Sequence, residues 1–154
     1  MYSIFKDFFN ICFFTELSTI NFSSNIDHFK PQNKIRDSIF DWNNLYYVNK
    51  AWNETVKRDQ WKDYWTKLSQ DFDKYFLYIK FDSDKTILLE PSLQHSQQEI
   101  DEVKIMIYDL QMNTFEPRSA TNLARMRYSY YKSFKDSLEY SDSFPSIYNF
   151  VRGQ

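Results

Sequence analysis

Two histidines, one thiol and three close pairs of acids are the side chains in this sequence whose types could do chemistry. His28 and His95 are the imidazoles and Cys12 is the thiol. A metal centre needs ligands at short, regular spacing, and neither histidine has them; Asp27 is the one carboxylate beside His28. A nucleophilic pair of Cys12 with a histidine would have to form in space. Cys12 lies on the apolar side of a helical pattern, however, where a buried structural thiol is the expected outcome. Asp71 with Asp73, Asp82 with Asp84, and Asp101 with Glu102 bring acids together. Asp82-Ser83-Asp84 opens like a calcium loop but lacks the glycine and the distal glutamate of one, so a solvated turn is expected. The single glycine, Gly153, excludes a glycine-rich phosphate cradle, and HExxH, GxSxG and CxxC motifs are absent. The expectation is a chain with no catalytic centre, no cofactor and no metal.

Charge is informative in one stretch. Residues 118–135 carry Arg118, Arg125, Arg127, Lys132 and Lys135 and no acid. On a helix Arg125, Lys132 and Lys135 share a face with Tyr128, opposite an apolar stripe of Leu123, Met126, Tyr130, Phe134 and Leu138. Basic residues interleaved with aromatics can hold nucleic-acid phosphate and stack bases, grip anionic lipid head groups, or meet an acidic protein surface. An ordinary solvated face is the plain alternative. Arg127 differs: it projects into the apolar side and needs a carboxylate or carbonyl there.

The elements that would position these groups read as mainly α. Ile35, Ile39, Trp42, Tyr46, Trp52 and Val56, then Trp61, Trp65, Leu68, Phe72 and Phe76, recur at spacings near multiples of a helical turn. The five-residue step from Val56 to Trp61 marks a junction or a change of buried face. Trp52, Trp61 and Trp65 are expected as core or interface anchors. Residues 76–81 and 86–89 flank a polar turn and read as a β-hairpin within about 75–90. Ser96-Gln-Gln-Glu99 is a capping box, and Ile100, Val103, Ile107 and Leu110 follow at helical steps over 97–113. The alternation of Val103, Ile105 and Ile107 keeps a strand open there. If the segment is helical, Ile105 and Met112 fall off its stripe and suggest a second buried contact. Past Pro117, Ser119 or Thr121 can cap a helix running to about residue 140, making an antiparallel helical pair. Residues 2–14 put Ile4, Phe5, Phe8, Phe9 and Ile11 on one arc, and residues 15–33 are polar and irregular. The whole is expected as one domain: an N-terminal amphipathic helix with an extended docking segment over 1–33, and a helical body over 34–154.

Composition narrows the function. A net charge of -2 gives no general pull toward nucleic acid. Aromatics make up 20% of the chain, more than a small core requires, so some are expected to face a partner. One cysteine excludes an internal disulfide framework. No apolar run approaches a membrane span, and the N-terminus has neither a secretory pattern nor an arginine-rich transit pattern. Phe, Tyr, Ile, Asn and Lys have AT-rich codons and are abundant, whereas Gly and Ala are scarce. Together these point to an organelle-encoded, mitochondrial, non-catalytic accessory subunit of a respiratory-chain or ATP-synthase complex. The alternative is a small phage or bacterial protein, then cytoplasmic, that blocks a nucleic-acid enzyme. The arc of Ile4, Phe5, Phe8, Phe9 and Ile11 is an apolar patch of binding-site type, expected to dock on another protein chain; the interfacial-membrane reading is weakened by having only Lys6 on its polar side. Replacing Phe5 and Phe8 with Asp should abolish incorporation into the parent complex, read by native gel migration, with the rest of the domain folded. A double mutant that unfolds the isolated chain would place the helix in the core instead.

Overall fold

Tyr46 and Val48 are buried while Leu45 and Tyr47 are partly exposed, the period of two that belongs to a strand rather than a helix. The computed structural model describes residues 12, 14–17, 23–34, 41, 44–117, 121–137, 144, 147 and 150–151. Within them the chain is mixed α/β, 48% helical and 21% strand, not mainly α. Strand β1 (Ser24–His28) pairs antiparallel with β2 (Leu45–Asn49), with Ile26 opposite Tyr47. Two expectations are corrected here. Residues 24–28 are not loop, and 45–49 are not part of a tryptophan helix. Tyr46 to Trp52 is a step of six, which no helical face supports, and the aromatic and β-branched run Leu-Tyr-Tyr-Val favours a pleated surface. The earlier members of that pattern, Ile35, Ile39 and Trp42, lie outside the described residues.

The return between β1 and β2 is tied by one carboxamide. Asn44 Oδ1 accepts from Lys30 N at 2.7 Å and Asn44 Nδ2 donates to Lys30 O at 3.0 Å, as an opposing peptide would. Asn49 then ends β2 and caps the next element, its Oδ1 accepting from Trp52 N at 3.0 Å. Helix α1 (Lys50–Trp52) widens at once into a π-helical turn over Asn53–Lys57. That turn stops at Arg58, whose φ of 44° is left-handed. The five-residue step from Val56 to Trp61 is therefore a junction between elements.

Helix α2 (Asp63–Gln70) buries Trp65 and Leu68, and α3 (Phe72–Tyr75) runs directly into strand β3 (Phe76–Phe81). β3 pairs antiparallel with β4 (Thr86–Pro91) across the turn at residues 82–85, as the sequence pattern requires. With no glycine available, Lys85 takes the left-handed position at φ 53°.

Helix α4 (Gln97–Asp109) starts at the capping box, with Ser96 and Glu99 satisfying each other's backbone amides. It ends in a Schellman motif: Met112 N bonds Ile107 O and Gln111 N bonds Tyr108 O, both at 3.0 Å, with Gln111 at φ 48°. So 97–109 is helix, and Met112 turns inward and is buried, whereas Ile105 stays 40% exposed. Helix α5 (Leu123–Ser137) is capped by Asn122, whose Oδ1 accepts from Arg125 N at 3.0 Å; Ser119 lies outside the described residues. Instead of pairing chiefly with each other, α4 and α5 both pack on β4, because the inner face of that hairpin (Ile87, Leu89) offers apolar surface to each.

One core joins these elements. Phe14 stacks on Trp52 at 4.8 Å and on Phe29 at 5.5 Å, and Phe29 meets Tyr46 at 5.1 Å. Trp52 is fully buried and donates Nε1 to Leu110 O at 2.8 Å, which ties α1 to the end of α4. Trp65 is likewise fully buried, and Trp61 is partly so, with Lys30 above its ring at 4.4 Å.

A side chain other than glycine at a left-handed position costs about 1–2 kcal/mol, against the roughly 0.5–1 kcal/mol of extra chain entropy that glycine brings. Gln111→Gly should therefore stabilise the chain by about 0.5–1 kcal/mol in urea unfolding. A loss of stability would mean that the Gln111 side chain contributes contacts outweighing the relieved strain.

Candidate functional site

The most concentrated buried chemistry lies where α5 crosses the end of α4. Arg127 is fully buried, as the sequence pattern implies, and its two terminal nitrogens find acceptors while its Nε has none. Its Nη2 donates to Met112 O at 2.7 Å and its Nη1 to Asn113 Oδ1 at 3.0 Å. Asn113 is itself built into the sheet: Oδ1 accepts from Leu89 N at 2.8 Å and Nδ2 donates to Leu89 O at 2.9 Å. The guanidinium lies 5.8 Å from the Tyr78 ring centroid and 5.9 Å from that of Phe144. Burial lowers the proton affinity of Arg127, and the nearby Tyr78 and Glu16 oppose that shift. Tyr78 Oη donates to the buried Glu16 carboxylate at 2.9 Å. A buried cation held by carbonyl-type acceptors is a structural fastener, since no face of it reaches solvent.

A second buried cation was not legible in the sequence. Lys57 closes the π-helical turn with its side chain 1% exposed, its Nζ 3.7 Å from Asp27 Oδ2 and donating to Arg58 O at 3.2 Å. Desolvation lowers its pKa below the usual lysine value, while Asp27 and Asp59 oppose the shift.

Several of the groups whose types could do chemistry are taken up by the fold. Cys12 is buried. His28 Nδ1 receives Gln32 Nε2 at 3.2 Å, and His95 Nε2 donates to Lys74 O at 2.8 Å with its ring against Tyr75. Glu99, in the capping box, also meets Lys67 at 2.9 Å; these bonds hold its pKa at about 2. Asp82 is not simply solvated: it pairs with Lys80 at 3.0 Å and accepts from Tyr128 Oη at 2.9 Å. Among the described residues no group of three or more His, Cys, Asp or Glu is placed to hold a metal ion.

Of the residues expected to meet a partner, Arg125, Lys132 and Lys135 are on the solvent side of α5. Tyr128 is diverted: its hydroxyl fastens α5 to the β3–β4 turn through Asp82, so it is not a free stacking platform. Ile4, Phe5, Phe8, Phe9 and Ile11 lie outside the described residues. Among the described residues no helix is long and apolar enough to cross a membrane.

The surface that sequence reasoning missed is the outer face of the β3–β4 hairpin. Its inner face, with Tyr78, Lys80, Ile87 and Leu89, turns toward the core and α5. On the outer face Leu77, Ile79 and Phe81 are 45%, 40% and 39% exposed, three successive outward positions. Opposite them on β4 are Glu90, Leu88 and Thr86, all partly exposed. The signal was present in the sequence: Phe-Leu-Tyr-Ile and Ile-Leu-Leu are continuous apolar runs, the pattern of strands covered on both faces.

Burial of Lys57 makes stability depend on pH. Its folded pKa is depressed, so the cost of burying the ammonium is present at neutral pH and is relieved as pH rises through that lowered value toward 10.5. Asp27→Asn removes the countercharge and should cost about 1–3 kcal/mol near pH 7 in urea unfolding. The gap from wild type should narrow as the amine becomes neutral; a gap unchanged up to about pH 10 would mean that Asp27 does not act through Lys57.

No known family model, characterised protein or solved structure matches this chain.

Proposed function

We propose that this chain is a non-catalytic structural subunit of a larger protein assembly and that the outer face of β3–β4 is an attachment surface. The observation that carries this reading is the row of Leu77, Ile79 and Phe81, large apolar side chains left partly in water on a sheet whose other face is packed. Contiguous apolar surface of this kind marks interaction sites, because leaving it solvated forgoes roughly 25 cal/mol per Å². The uptake of His28, His95, Asp82 and Glu99 into structural contacts supports a role without chemistry of its own. The exposed cations Arg125, Lys132 and Lys135 add a polar contact suited to an acidic neighbour or to anionic lipid head groups at the same assembly.

Residue usage supplies the setting. A chain rich in Phe, Tyr, Ile, Asn and Lys and nearly without glycine fits an AT-rich, organelle-encoded gene. A mitochondrial respiratory-chain or ATP-synthase complex is the assembly class proposed on that basis.

Native gel migration of the chain in extracts of its own cells tests the proposal. Wild type should run in a complex far larger than a monomer or dimer, and Ile79→Glu should release it while the purified variant keeps its circular dichroism spectrum. Wild type running at its own mass or twice that mass would sink the assembly reading.

A further inference from the structure

We draw no further inference here: the strongest candidate, the apolar outer face of the β3–β4 hairpin with Leu77, Ile79 and Phe81, belongs to the attachment surface already described, and nothing in the structure shows what covers it.

Discussion

The interaction on which the rest of this structure depends is the burial of the Arg127 guanidinium. A cation removed from water must find acceptors or lose its proton, and burial does lower its proton affinity here. Its two terminal nitrogens reach the Met112 carbonyl and the Asn113 carboxamide, which are in place because the Schellman turn at Gln111 directs the chain back over α5. Asn113 in turn grips both backbone groups of Leu89. One side chain therefore couples the end of α4, the outer edge of β4 and the body of α5.

Scarcity of glycine leaves a visible mark on the backbone. Among the described residues Glu16, Arg58, Lys85, Gln111 and Phe144 all have positive φ. Each stands where a chain with ordinary composition would favour glycine or asparagine, and each carries strain that the surroundings must hold. Two of these positions have clear anchors: Gln111 closes the Schellman motif, and Phe144 donates its amide to Glu16 O at 2.9 Å beneath the Arg127 cluster. Asparagine instead supplies backbone-like hydrogen bonds. Asn44 and Asn113 substitute for a missing strand neighbour, while Asn49 and Asn122 cap helices. A carboxamide can do this because it offers the same donor and acceptor pair as a peptide group.

Two-stranded sheets set the terms of the surface. Each hairpin is too small to stand alone and packs one face on the helices, which leaves the other outward. For β1–β2 the outward side is mixed, with Ser24 Oγ donating to Tyr47 Oη at 2.8 Å beside an exposed Ile26. For β3–β4 it is apolar along the whole of β3. The contrast between the two hairpins, rather than the overall aromatic content, is what distinguishes one side of the molecule as an attachment surface.

Local signals in the sequence determined the elements whose cause is local. The capping box at Ser96 and Glu99 set the start of α4, the apolar runs flanking residues 82–85 defined β3 and β4, and the basic, acid-free stretch carried α5 with Arg127 turned inward. These depend on backbone amides, strand propensity and helical period within a few residues. Tertiary structure decided the rest. Leu45–Asn49, whose Leu-Tyr-Tyr-Val run suits a pleated surface, became a strand because Ser24–His28, far along the chain, lies beside it. Lys57 is buried because a π-helical turn aims it at Asp27, whereas a helical lysine read from sequence belongs in water. Asn113 and Tyr128, polar and ordinary in the chain, acquired their roles from Leu89 and Asp82. The uncovered row on β3 was written as a continuous apolar run. Only the packing of α4 and α5 on one side of the hairpin decided which half of that run would meet solvent.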